Sequence, residues 1–243
     1  MLFLASFSDA NLIITPQRIE STVKPNEPIK GSYSVTNNYD DDVQLEVYID
    51  LNKEWSYKKN LDIPLDSWLK IMPSRMTIRK GETKLVLYTI SPDGGMQGSV
   101  AGQVKFKVNP PANPTVTALI SLPIHIIMQG TEKIEYGIDS LAIDNRTKKL
   151  NIGIKNNSNI IIKPIGFVDI YSGSKKVRTV QLPETVSVFP GTVRNEFDVK
   201  MPADLEPGKY RAEVSIRLIG YSHYVKPVVR SMQFRVLKDG SVI

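Results

Sequence analysis

The sequence predicts an all-β protein made of two tandem β-sandwiches, and three observations lead there. Apolar and polar residues alternate with period two along much of the chain, and sustained helical periodicity is missing. Turn clusters rich in Gly, Pro, Asn and Asp (NNYDDD, RKGE, SPDGG, LEPGK) separate the alternating runs at the spacing of a sandwich. The features also repeat in order: Asn37-Asn38 returns as Asn156-Asn157 at an offset of 119 residues, Gly81 as Gly191 and Gly98 as Gly208, both at 110. Each half is then one sandwich of about 100 residues, the size of an immunoglobulin-like domain. The boundary falls near MQGTEKIEYG (128–137), which gives an N-terminal domain over 11–130 and a C-terminal domain over 131–243.

Taken in order, the chain opens on MLFLASFSDA. Leu2 to Phe7 is a short apolar run, followed by small residues that suit cleavage before Asn11, so residues 1–10 read as a truncated export signal, the alternative being that Leu2–Phe7 belongs to the first strand. The alternation then predicts strands over 30–37, 42–51, 83–90, 99–108, 150–157, 209–220 and 229–237. The paired asparagines close strands, where an Asn side chain bonds its own backbone and tolerates a left-handed turn. Asp40-Asp41-Asp42 lacks the alternating acidic register of a calcium loop and reads as a solvated hairpin tip.

Composition removes several classes of function. The chain has 243 residues and no cysteine, so zinc-finger, iron–sulfur and thiol chemistry have no ligands or nucleophiles to use. Lys and Arg number 31 against 25 Asp and Glu, a net charge of +6, but they are spread singly, unlike the concentrated basic face of a nucleic-acid binder. The two histidines, His125 and His223, lie beside no nucleophile elbow, and SPDGGMQG (91–98) lacks the Lys-Ser/Thr of a phosphate loop. LPETV (182–186) and the sequon NRT (145–147) stand without the context that would give them meaning. No catalytic residue, metal site or cofactor is expected. No segment reaches the roughly 20 apolar residues of a membrane span.

One stretch is far more apolar than the rest: TALISLPIHIIMQG, residues 117–130. As a strand it has one wholly apolar row, Ala118, Ile120, Leu122, Ile124 and Ile126, and a second row of Leu119, Ser121, Pro123, His125 and Ile127. Burying one Leu or Ile side chain is worth about 1.5–3 kcal/mol. The row can therefore serve either the domain's own core or a partner. Pro123 has no donor N–H and is tolerated at sheet edges, which puts the strand at a margin. An apolar margin needs covering.

Together these features resemble the periplasmic chaperones of chaperone–usher pilus assembly, two-domain immunoglobulin-like proteins that cap pilin subunits. ITPQRIE (14–20) is similar to the family's first strand, with Arg18 at its basic cleft position. YSVTNNYDDDVQLEVYID (33–50) and WLKIMPSRMTIRKGETKLVLYTI (68–90) resemble the strands that follow. The resemblance implies that 117–130 is the strand donated to a subunit, through Ala118, Ile120, Leu122, Ile124 and Ile126. It also implies that Arg18 anchors the subunit's terminal carboxylate, with His125 where the family has lysine. The family's acidic-basic-acidic-Ser signature before the sixth strand is replaced by DGGMQGS. The implied role is a non-enzymatic periplasmic chaperone whose partners are pilin-like subunits and an outer-membrane usher. The alternative, from a different class, is a structural or adhesive immunoglobulin-like module of the cell envelope or surface.

Overall fold

The computed structural model describes residues 12–53, 55–62, 65–92, 94–109, 117–183, 186–221 and 225–243; the expected leader, residues 1–10, and His223 lie outside them. The chain divides into two compact units, Met1–Glu132 and Lys133–Ile243. In chain order the first unit runs β1 (Leu12–Thr15), β2 (Ile19–Val23), β3 (Ile29–Asn37), β4 (Val43–Leu51), a 3-10 turn (Lys58–Asp62), α1 (Leu65–Trp68), β5 (Leu69–Met72), β6 (Arg75–Ile78), β7 (Thr83–Ile90), β8 (Ser99–Asn109) and β9 (Ala118–Met128). One sheet has the order β1-β3-β7-β5 and the other β2-β9-β8-β4-β6. The chain therefore changes sheets between β1 and β2: Thr15 pairs with Ser34, residues 16–18 cross, and Ile19 pairs with Ile124.

Alternation builds the core of this sandwich. Tyr33 and Val35 on β3, Val43, Leu45 and Val47 on β4, and Val104, Phe106 and Val108 on β8 are all buried to 2% exposure or less. The residues between them face out, as period two requires. Tyr33 meets Phe106 edge-on at 5.2 Å between ring centroids. Its hydroxyl has no hydrogen-bond partner among the described residues, and burial, helped by the nearby Tyr88, pushes its pKa well above the ordinary phenol value.

The second unit comprises β10 (Tyr136–Asp144), β11 (Lys149–Asn156), β12 (Pro164–Ser172), β13 (Lys175–Gln181), β14 (Val193–Lys200), β15 (Gly208–Leu218) and β16 (Val228–Val236). Its sheets have the orders β10-β11-β14 and β13-β12-β15-β16. Alternation alone does not mark β5, β6, β10 or β12–β14. β5 and β6 have four residues each, β12 is interrupted by Gly166, and β13 (KKVRTVQ) is an edge strand with no buried residue. Charged edge strands of that kind resist pairing with other chains.

The repeated asparagines have a physical cause. Asn37 and Asn156 are completely buried. Asn37 Nδ2 donates to the carbonyls of Asp41 (2.8 Å) and Ile78 (3.0 Å), and its Oδ1 accepts the N–H of Tyr39 at 2.9 Å. Asn156 repeats the pattern: Nδ2 donates to Ile160 and Val188, both at 2.8 Å, and Oδ1 accepts Ser158 N–H at 2.8 Å. In both units the carbonyl of the same Asn accepts the N–H of the partner glycine, Gly81 or Gly191, at 2.8 Å. Both glycines have positive φ, 71° and 74°, the region that costs glycine least. Gly208 has no such need and simply opens β15. Each unit thus uses one buried amide to pin a strand end to the turn that follows it and to one distant loop. At the Asp40–Asp42 tip, Lys80 Nζ lies 2.8 Å from Asp40 and Lys80 N donates to Asp42 at 3.1 Å, so the carboxylates serve the neighbouring turn.

Candidate functional site

Strand β9 has different neighbours along its two halves. Against β8 it pairs throughout, from Val108↔Ala118 to Ser99↔Ile127, antiparallel and without a bulge. Against β2 it pairs in parallel only from Ile19↔Ile124 to Val23↔Met128. Among the described residues, no strand takes the second side of Ala118–Pro123. The sequence expectation of a marginal strand is corrected by this: β9 is second in its sheet, an inner strand from Ile124 onward and an edge only before it. The cause is the sheet change at residues 16–18, which starts β2 opposite Ile124 and no earlier.

The phase of the backbone follows from two hydrogen bonds. Met128 N–H donates to Gly98 O, toward β8, and Gln129 N–H donates to Val23 O, toward β2, each at 2.8 Å. Successive peptide groups of a strand point to opposite sides, so even-numbered residues of β9 face β8 and odd-numbered ones face the β2 side. The missing N–H of Pro123 falls on the β2 side, where β8 loses nothing by it. Leu119 and Ser121 direct both N–H and C=O to the open edge. Neither was singled out from the sequence, although Pro123 carried the signal, because a proline inside a paired strand marks which parity of amides points away from the ladder.

The apolar row is divided between two environments. Leu122, Ile124 and Ile126, exposed by 8, 2 and 0%, sit within the core of their own domain. Ala118 and Ile120 are half-buried, packed against that core where β9 is open on one side. On the other face, Leu119 is 51% exposed, Ser121 and Pro123 are exposed and His125 is half-buried. The outer-face neighbours on β8 are spoken for: Lys105, opposite Ser121, pairs with Asp50, and Lys107, opposite Leu119, lies 3.8 Å from Glu46. Arg75, 2.7 Å from Glu46, holds the Glu46 carboxyl below its usual pKa.

Arg18 stands at the end of the open edge. It is exposed and immediately precedes Ile19, the first β2 residue paired with β9. His125 is opposite Glu20. Arg18 Nη1 lies 3.7 Å from Glu20 Oε1, with side chains 67% and 41% exposed. An exposed pair of this kind contributes between zero and about 1 kcal/mol and yields readily to a better anion. The site thus gathers Arg18, Glu20 and His125 where β2 begins, and Glu20 is the member the sequence reading left out. Among the described residues, no group of three or more His, Asp or Glu is placed to hold a metal ion, and no helix is long and apolar enough to cross a membrane.

No protein-family model matches the sequence, and no curated protein matches it. Solved structures do. The chain is similar to the class 5 fimbriae chaperone CfaA, with 16% identity and a TM-score of 0.53 over 91% of this chain and 98% of that one. It is also similar to a chain from a chaperone–tip adhesin complex of CFA/I fimbriae biogenesis, with 14% identity and a TM-score of 0.52 over 91% and 98%. At these identities the likeness is one of fold: an all-β architecture of immunoglobulin-like sandwiches covering both units.

Proposed function

We propose that the chain is a divergent periplasmic chaperone of chaperone–usher pilus assembly, a binding protein without a catalytic step, which caps a pilin-like subunit by strand addition and passes it to an outer-membrane usher. The observation that carries this reading is the half-paired strand: Ala118–Pro123 has one side hydrogen-bonded to β8 and the other open, and the opening ends at Arg18.

A subunit strand laid along Ala118–Pro123 lies in line with β2. It exchanges backbone hydrogen bonds with Leu119 and Ser121 and packs alternate apolar side chains beside Ala118 and Ile120, the strand-addition mode of recognition. Leu122, Ile124 and Ile126 support it from beneath as core, so the donated surface is shorter than the five-residue row of the sequence. β2 runs parallel to β9, and a guest strand of the same direction brings its C-terminus to Arg18. There the guanidinium exchanges Glu20 for the terminal carboxylate in a charge-assisted bond. His125 adds a second cation whenever it is protonated.

Co-purification of subunits from a periplasmic extract tests the proposal with two variants. Ile120→Asp places a charge beside the guest strand. Ser121→Pro removes an outward donor and leaves the β8 ladder intact. Both are expected to keep wild-type far-UV circular dichroism and to lose the bound subunit. Variants that fold and still retain it at wild-type occupancy would defeat the proposal. Leu122→Asp is not informative about binding, because it buries a carboxylate in the core and unfolds the domain.

A further inference from the structure

The excess positive charge of the chain belongs to one unit. Lys133–Ile243 holds 18 Lys and Arg against 11 Asp and Glu, whereas Met1–Glu132 holds 13 against 14. At one end of the β13-β12-β15-β16 sheet, a groove of about 600 Å³ is lined by Lys209–Arg211 of β15, Gln233–Arg235 of β16, Gly173 and Ile243. That is the size of a small-molecule site.

The charges in this groove are arranged unlike those elsewhere on the same sheet. Lys176 is 3.2 Å from Asp169, and Arg178 pairs with Asp204. Lys209 and Arg235, in contrast, are direct cross-strand partners, and neither has an ion-pair partner among the described residues. Like charges directly opposite in an antiparallel pair destabilise the sheet. Arg211 shares their face, two residues along β15, and its position is fixed: its guanidinium carbon lies 4.4 Å from the ring centroid of Tyr171, and Glu213 engages one of its nitrogens. Three cations therefore border the groove, and the Glu213 carboxylate engages one of them. Such a cluster favours an anion of more than one charge, and an arginine held in place by an aromatic ring presents its fork to planar or tetrahedral oxygens.

We infer that this groove binds a phosphate-bearing oxyanion of two or more charges, with Lys209 and Arg235 flanking the phosphate and Arg211 oriented toward it from Tyr171. The phosphate can belong to a soluble ligand or to a lipid headgroup, since the chemistry recognised is the same. The inference is independent of strand donation by β9 and requires no pilin.

Calorimetric titration of the full chain with pyrophosphate at about 0.15 M salt is the test, because exposed, unspecific attraction is largely screened there. Saturable binding with Kd of about 1 mM or tighter is expected. Lys209→Gln and Arg235→Gln should each weaken it about tenfold, and Lys155→Gln, an exposed cation on the other sheet, should leave it unchanged. Pyrophosphate should raise the melting temperature of the wild type and not of the Arg235→Gln variant, which itself should melt no lower than wild type because it relieves the Lys209 repulsion. Flotation with phosphatidic acid vesicles, compared with phosphatidylcholine alone, separates the sources: flotation lost in both groove variants identifies a lipid-borne phosphate, and pyrophosphate binding without flotation identifies a soluble one. Neither pyrophosphate binding nor flotation, or an equal loss in Lys155→Gln, overturns the inference.

Discussion

Replacing Asn37 by alanine should unfold the first unit far more easily than its small change in volume suggests. The substitution deletes three hydrogen bonds, from Nδ2 to the carbonyls of Asp41 and Ile78 and from Tyr39 N–H to Oδ1. Each is worth a net 0.5–1.5 kcal/mol or so, and a buried group left without a partner costs about 1–3 kcal/mol. The Ile78 bond is the buried one, while those to Asp41 and Tyr39 are partly buried and can be replaced by water. The loss should therefore be about 3 kcal/mol, and a urea slope near 1.5 kcal/mol/M turns that into a midpoint lower by about 2 M. Both tryptophans, Trp55 and Trp68, belong to the first unit, and Trp68 is buried at 2% exposure, so urea titration followed by tryptophan fluorescence reads this unit. Lys30→Ala, an exposed position on the same strand, is the control and should cost no more than about 0.5 kcal/mol. A fluorescence transition for Asn37→Ala within about 1 kcal/mol of wild type would show that the amide does not hold the strand end to the Ile78 loop, and the account of the repeated asparagines would fall.

Tyr33→Phe should stabilise the first unit by about 1 kcal/mol, because it removes a buried hydroxyl that has no partner and keeps the edge-on packing on Phe106; a clear loss in the same urea titration would contradict this. Hydrogen exchange followed residue by residue should find the amides of Leu119 and Ser121 fast and those of His125 and Ile127 slow, and protection of Ser121 equal to that of Ile127 would reverse the backbone phase assigned to β9. Arg178 holds the Asp204 carboxyl below its usual pKa, and a depressed carboxylate stabilises above its unfolded pKa and loses that effect as pH falls through the folded one. Arg178→Gln should accordingly lower the melting temperature slightly at neutral pH, with a deficit that shrinks as pH falls through the depressed folded-state pKa of Asp204; a deficit independent of pH would exclude the ion pair as its cause.

The two-sandwich plan was legible because its markers are local. Period-two alternation names the core rows of β3, β4 and β8, and the asparagine-glycine repeat aligns the halves. The turn reading of Asn37 anticipated the bond from Tyr39 N–H. The long-range half of that clamp, from Asn37 to Ile78 and from Asn156 to Val188, depends on which loops approach each strand end, and no local pattern contains that. The apolar row of β9 could be read, but its division into core residues and open-edge residues could not. That division is made by the partial coverage from β2, a parallel neighbour about a hundred residues earlier in sequence. β13 escaped notice for the opposite reason: an edge strand that buries nothing has no apolar row to show.

The three residues that carry the chain from one sheet to the other act as a measuring device. Were the crossing to come two positions sooner, β2 would reach two rungs further along β9 and close them; two positions later, and two more rungs would stand unclaimed. Under the proposed strand addition, the length of guest backbone would therefore be set by residues 16–18, far in sequence from β9. Insertions or deletions around Pro16 would change how many rungs of β9 stay open while leaving every β9 side chain in place.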